Sequence, residues 1–247
     1  MTNSNELDNR LLACADFVRE GSIVADIGSD HAYLPIYLVK NGISPFAVAS
    51  DINDGPVKRA KTNIALFGLS DKICAICADG LDKAVDCKPD DIVIAGMGGE
   101  LICSIISASE YVKNKNVRLI LQPMTMPEVL RKFLADNAFE IIDEKIVVAA
   151  GKCYTVMCAE YSGKTQSFTH TELVFGKANI KRVESGRGAP EDFLLLERTL
   201  LSLKRRIDGK KKSKSQNGAE IEPELSLENS LKKLLVYKEV KENADEA

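Results

Sequence analysis

Along the first two-thirds of the chain, apolar residues fall into short continuous runs separated by stretches with helical spacing. Ser22–Ile27, Phe46–Ile52, Ile73–Ala78, Asp91–Ala95 and Arg118–Gln122 read as strands. His31–Asn41, Asp54–Phe67 (with Pro56 in its first turn), Glu100–Ser109 and Met126–Asn137 read as helices. Short apolar strands alternating with helices describe a parallel sheet covered on both faces, a doubly wound α/β domain. Two longer β-rich runs follow, Phe139–Ala149 and Lys152–Tyr161, joined at Gly151 as a hairpin. They would add an antiparallel edge and bring the sheet to seven strands, mostly parallel.

The pattern changes near Ser162. Pro190 opens a helix in which Phe193, Leu196, Leu200, Leu203 and Ile207 recur at spacings of 3 and 4, the seam of a coiled coil over two heptads. A polar linker, Gly209–Gly218, interrupts it, and Pro223 begins a second helix with Leu227, Leu231, Leu234 and Tyr237 at similar spacing. The reading is a helical coiled-coil hairpin, with both helices packed back on the main domain as the alternative. The expected domains are 1–163 and 164–247, and the polar end Lys241–Ala247 is expected to fray.

Composition narrows the class. Of 247 residues 45% are hydrophobic and 28% charged, which excludes global disorder. No apolar run reaches the roughly 18 residues of a membrane span, and the opening residues lack the basic and apolar regions of a signal peptide. A soluble, cytoplasmic, monomeric protein is expected. The seven cysteines, an odd number, read as reduced thiols. The net charge of −3 argues weakly against a nucleic-acid partner, but its distribution reverses that. Between Arg198 and Lys214 stand eight basic residues against the single acid Asp208, a net of +7, whereas residues 1–197 carry −6. Lys204, Arg205, Arg206, Lys210, Lys211, Lys212 and Lys214 are therefore candidate RNA contacts, held out beyond the apolar seam as a basic finger.

The chemistry concentrates at the strand ends. The first strand runs through Asp26 and Gly28 into Ser29, Asp30 and His31, the first βα turn of a nucleotide-type site. A pyrophosphate would want several glycines there, and two carboxylates would repel it. The turn suits a ligand with a cationic amine and no phosphate, which describes S-adenosyl-L-methionine. The second strand ends at Asp51, beside Ile52, where a carboxylate can accept both ribose hydroxyls, with Asp54 better placed than Asp51 to cap the following helix. The third ends Asp79-Gly80, a carboxylate and a backbone for an adenine edge. The fourth ends Gly96-Met-Gly-Gly99, leaving backbone open for a flat base, with Gln122 of the fifth able to hydrogen-bond alongside. Asp30 could hold the methionine amine or the charge that develops on a methylated base. His31 could bind the cofactor, orient Asp30 or cap the helix, and Tyr33 could stack on a base or simply pack.

These residues together resemble the bacterial tRNA (adenine-22-N1)-methyltransferase family. The resemblance rests on Asp26-Ile-Gly-Ser-Asp-His-Ala-Tyr-Leu-Pro35, Asp54-Gly-Pro56, Asp79-Gly-Leu81, Ala95-Gly-Met-Gly-Gly-Glu-Leu-Ile102, Leu121-Gln-Pro123 and Glu172-Leu-Val-Phe-Gly176, so it spans nearly the whole chain. Lys177 departs from it, standing where the family has proline. The resemblance implies a class I methyltransferase domain, S-adenosyl-L-methionine as donor, and adenosine 22 of tRNA as substrate, turned outward into the pocket. Asp30 and Gln122 are then the candidate catalytic residues. Ring nitrogen N1 has a free lone pair, so no general base is required. Two other classes are a small-molecule methyltransferase with a helical dimerisation hairpin, which the +7 segment disfavours, and a non-catalytic RNA-binding protein, which would not bind the donor. Cys74 and Cys77 have the spacing of a metal pair, but within a strand they face opposite ways, so no metal site is expected.

Overall fold

The computed structural model describes residues 7–212 and 221–245. Seven strands, β1 (Val24–Ile27), β2 (Ala47–Asp51), β3 (Ile73–Cys77), β4 (Asp91–Gly98), β5 (Arg118–Thr125), β6 (Phe139–Ala149) and β7 (Lys152–Tyr161), form one sheet in the order β3-β2-β1-β4-β5-β7-β6. The first five run parallel, and β7 is antiparallel to both of its neighbours. The hairpin has the residues expected of it. The order reverses between β1 and β4, and such a switch point opens a crevice at the carboxyl ends of the strands.

Five helices accompany the sheet: α1 (Asn9–Ala15), α2 (Tyr33–Lys40), α3 (Asp54–Leu66), α4 (Gly99–Ser107) and α5 (Pro127–Asp136). Alternate residues of the central strands supply two cores. Val93 and Ile120 face Leu34, Leu38 and Ile64 of α2 and α3, whereas Ile92, Ile94, Leu119 and Leu121 face Ile102, Ile106, Leu130 and Leu134 of α4 and α5. Each such side chain contributes on the order of 1.5–3 kcal/mol by burial.

Two differences from the pattern bear on the site. Helix α1 was not expected. Its seven residues make two turns, too few for a periodicity to register, and it is held by the Asp8 carboxylate accepting from the Arg10 and Leu11 amides at 2.9 and 3.0 Å. Strand β4 also runs on to Gly98, and its pairing with β5 shifts between Ala95 and Met97, a bulge centred on Gly96 at φ +80°.

The chain divides into two compact units, Met1–Ser167 and Phe168–Ala247. The second is helical: α6 (His170–Phe175), α7 (Lys177–Glu184), α8 (Pro190–Lys212) and α9 (Glu222–Asp245). A capping box between Thr169 and Glu172 starts α6, which puts His170 at its first position. Lys177 likewise opens α7, a position where proline is also accommodated. Ion pairs Glu197–Lys238 at 2.7 Å and Lys210–Glu224 at 2.6 Å set α8 and α9 antiparallel. Phe193, Leu196, Leu203 and Ile207 are buried along α8, as are Leu227, Leu231 and Leu234 along α9. Helix α9 packs on α6 and α7 as well as α8, so a four-helix cluster replaces an isolated two-helix coil. Tyr237 is exposed rather than in the seam. Gly209 does not break α8, which continues to Lys212, and the backbone of α9 is helical to Asp245, with Glu246 and Ala247 of the expected frayed end outside the described residues.

Candidate active site

Strand β1 is buried along its whole length and ends in a sharp turn at Gly28, φ +80°. The Gly28 and Ser29 amides both donate to the Ser50 carbonyl, at 2.8 and 2.9 Å. Those bonds pin the turn over β2 and occupy two of the N–H groups that a pyrophosphate would need. A side chain at position 28 would be strained, and its β-carbon would come within 2.2 Å of Met97 Cε. Asp26 is buried just before the turn, and burial pushes its carboxyl up to about 6, with the Ser29 hydroxyl pulling the other way.

Beyond this turn lies a cavity of about 310 Å³ whose walls include Asp26, Gly28, Asp30, His31, Gly96 and, from α1, Arg10. Asp30 stands at its rim, half-exposed, paired with the Arg59 guanidinium and 3.2 Å from His31 Nε2. The His31 ring in turn stacks on Tyr33, centroids 5.1 Å apart and 13° from parallel. His31 thus sits between Asp30 and Tyr33 and does not cap α2, whose capping position is Ala32 in left-handed backbone without a side-chain bond.

A second cavity, about 220 Å³, carries Asp51, Ile52, Asp79, Gly80, Met97 and Leu101 on its walls, and Gly28 lines both. Asp51 Oδ1 accepts the Asn53 amide at 2.9 Å, which fixes the carboxylate. Its Oδ2 has no protein partner among the described residues. Asp54 does not cap α3 as expected. Asn53 holds that position without a side-chain bond, and Asp54 is the first helical residue. Ile52 is 60% exposed, an apolar surface at the mouth.

Gln122 is placed differently from its expected role. Its side chain is fully buried, its Oε1 accepts from the Gly96 amide at 3.2 Å and Arg10 Nη1 at 3.1 Å, and its Nε2 donates to the Pro123 carbonyl at 2.9 Å. A carboxamide so engaged cannot also grip a base. It holds the bulge at Gly96 and the guanidinium of Arg10 in place. No β-carbon at Gly96 would meet anything within 4 Å, so the backbone there is open to a flat ligand.

Arg10 is the residue that the sequence pattern missed. Asp8, Gln122 and the Met124 sulfur hold its Nη atoms, and the Tyr154 ring lies 5.4 Å from its guanidinium carbon. A lone arginine in a two-turn helix, 112 residues from its partner Gln122, carries no local signal.

The basic segment lies on α8 in the second unit. Lys204, Arg205, Arg206 and Lys211 are exposed on its surface. Lys210 is not free as expected, because Glu224 takes its charge, and that contact holds the Glu224 carboxyl below its ordinary range. Lys212 is described as helical backbone, and Lys214 lies outside the described residues.

Among the described residues no three His, Cys, Asp or Glu side chains are grouped to hold a metal ion, and no helix is long and apolar enough to cross a membrane. None of the seven cysteines is in a disulfide.

Residues 7–157 match the family model of a methyltransferase domain. Over 174 residues, 70% of its length, the chain is 38% identical to the tRNA (adenine(22)-N(1))-methyltransferase of Bacillus subtilis (strain 168), of which it covers 73%. The solved B. subtilis M1A22 tRNA methyltransferase TrmK matches with a TM-score of 0.79 at 30% identity, over 94% of this chain and 100% of that one. Streptococcus pneumoniae Sp1610, solved in complex with S-adenosyl-L-methionine, matches with a TM-score of 0.77 at 32% identity, over 93% and 100% respectively.

Proposed function

The chain belongs to the methyltransferase-domain family and, within it, to the tRNA (adenine(22)-N(1))-methyltransferases, and we propose how its residues divide the work of that reaction. It transfers a methyl group from S-adenosyl-L-methionine to N1 of adenosine 22 in tRNA. The observation that carries the division is the meeting of two cavities at Gly28, one with a buried carboxylate beside an arginine, the other with two carboxylates amid apolar walls.

Those donors fit the cofactor. Asp26 matches an ammonium group, and Arg10, whose Nε has no partner among the described residues, matches a carboxylate. Asp51 offers Oδ2 to ribose hydroxyls, and Asp79 with the Gly80 backbone meets an adenine edge between Ile52 and Leu101. When bound, the cofactor supplies an electrophilic methyl group on a sulfonium. The protein's task is alignment, since N1 of adenine attacks with its own lone pair and no proton moves. Holding the two reactants in line contributes several kcal/mol. The base acquires positive charge as the bond forms, and Asp30, fixed at the cavity rim by Arg59 and His31, faces that charge. Gln122 acts through Gly96 and Arg10 as a positioning residue.

The division of labour assigns catalysis to residues 1–163 and RNA contacts to 164–247, where Lys204, Arg205, Arg206 and Lys211 line the exposed side of α8. A monomer in the cytoplasm completes the reading, and seven cysteines without a disulfide suit that reducing compartment. The test is nucleoside mass mapping of tRNA incubated with enzyme and donor. N1-methyladenosine at position 22 is expected, and its absence in the presence of demonstrated donor binding would overturn the reading.

A further inference from the structure

A third cavity, about 220 Å³, opens on α2 next to the catalytic one. Its walls are Tyr33, Ile36, Tyr37, Lys40, Asn41 and, from the end of α3, Phe67. Tyr33, Ile36, Tyr37 and Lys40 lie on α2 and Asn41 follows its last residue, and the spacings of 3 and 4 between Tyr33, the pair Ile36–Tyr37 and the pair Lys40–Asn41 make one stripe along about 12 Å at 1.5 Å per residue. The core of the sheet accounts for only part of this stripe: Ile36 is buried in it, and Tyr37 and Phe67 pack against it while staying partly exposed. Leu34, Pro35, Leu38 and Val39 bury the opposite side of the helix, whereas Tyr33, Lys40 and Asn41 are exposed. Three aromatic rings lining one small cavity, with the Lys40 ammonium 5.4 Å from the Phe67 ring centroid, make a place for a flat ligand that carries negative charge. Tyr33 lines both this cavity and the catalytic one, so the two sites are contiguous.

We propose that this cavity is a second base subsite, which receives a nucleotide flanking the methylated adenosine. The inference rests on the tRNA methylation reading and adds to it the seat of a neighbouring nucleotide. Turning a base out of a folded RNA breaks its stacking on both neighbours. A neighbour that restacks on Tyr37, beside the Phe67 ring that already carries the Lys40 ammonium, recovers part of that loss and keeps the strand splayed at the mouth of the active site. Single-stranded bases are held in this way, on aromatic faces beside a cation that meets the backbone. The cavity is too small for a whole cofactor but has room for one base. Residues 1–197 are net negative, so an exposed cation beside the active site gives the strand a local electrostatic contact that complements the basic segment of α8.

The experiment uses the full chain and tRNA carrying 2-aminopurine in place of either nucleotide flanking the target. Stacking quenches that fluorophore. With the wild type, quenching at one flanking position is expected on binding. Tyr37→Leu, which keeps apolar bulk and removes the ring, should abolish it and raise the KM for tRNA about tenfold, with kcat and donor affinity unchanged. Tyr37→Phe should restore both. Because Tyr37 is partly buried, the exposed Lys40→Ala serves as a second variant, expected to raise the KM about threefold and to flatten its salt dependence. Equal quenching and equal KM in wild type, Tyr37→Leu and Lys40→Ala, with methylation of adenosine 22 intact, would overturn this inference alone. Loss of methylation in the wild type would overturn the underlying reading too. Quenching of free 2-aminopurine ribonucleotide as strong as that of the labelled tRNA would make the cavity a mononucleotide site and overturn its assignment to the tRNA strand.

Discussion

Replacing Asp26 with asparagine should make the protein more stable and less able to bind its donor. The carboxyl is buried and its pKa lies near 6, against an ordinary value of 3.8. At about 1.4 kcal/mol per tenfold change in acidity, that difference corresponds to roughly 3 kcal/mol by which the fold disfavours the ionised form. The unfolded chain ionises Asp26 from about pH 4 upward, the folded chain only near 6. Stability that is present below about pH 3.8 is therefore lost as the pH rises through 6, and the asparagine variant, which does not titrate, escapes this loss. Urea unfolding at pH 7.5 should show Asp26→Asn more stable than wild type by roughly 1–3 kcal/mol, and the advantage should shrink towards pH 4. Donor binding runs the other way, since it requires the ionised carboxylate. A group titrating near 6 weakens apparent affinity about tenfold at pH 5 relative to pH 7.5, and the asparagine variant should bind at least tenfold more weakly than wild type at pH 7.5. Calorimetric titration with S-adenosyl-L-methionine across that range measures both effects. A variant less stable than wild type at pH 7.5 would refute the burial argument. Donor affinity that is flat between pH 5 and 7.5 would refute the assignment of Asp26 to the ammonium group.

Asp51→Ala removes two charge-assisted hydrogen bonds of about 1.5–3 kcal/mol each, so donor affinity should fall tenfold or more while tRNA affinity stays unchanged in filter binding. Arg10→Met keeps the stem over Tyr154 and removes the charge. Donor binding should weaken about tenfold, and a wild-type dissociation constant would move the methionine carboxylate elsewhere. Asp30→Asn should lower single-turnover methylation with the fold intact, and a rate within about threefold of wild type would exclude an electrostatic contribution of even 1 kcal/mol. Exchanging Lys204, Arg205 and Lys211 together for alanine should flatten the slope of log affinity for tRNA against log salt by about two to three, with donor binding untouched. An unchanged slope would move the RNA contacts off α8.

Much of the molecule was legible in the sequence because its physics is local. Short continuous apolar runs bounded by glycine, proline and polar turns, and alternating with helical stretches, read as buried strands, so the seven-stranded sheet and even the limits of the β6–β7 hairpin followed from pattern and one glycine turn. Once the strands are parallel, their carboxyl ends share one edge, which brought Asp26, Asp51 and Asp79 to the two cavities that meet at Gly28.

The tertiary structure decided what depends on partners distant in sequence. Arg10 reaches the site from a helix of only seven residues, and its value comes from Gln122 and Tyr154, which no spacing rule connects to it. Gln122 looked like a base-binding amide and proved to be buried and engaged, because the bulge at Gly96 turned that amide N–H towards it. Lys210 counted as a free cation until the antiparallel register of α8 and α9 set Glu224 beside it. The cavity on α2 carried no signal in the sequence, since Phe67 closes it from the end of another helix. A residue's type and its position in a strand or helix are written locally. Whether its charge is buried, paired or open to a ligand depends on the elements folded against it, and that is fixed only when the whole chain packs.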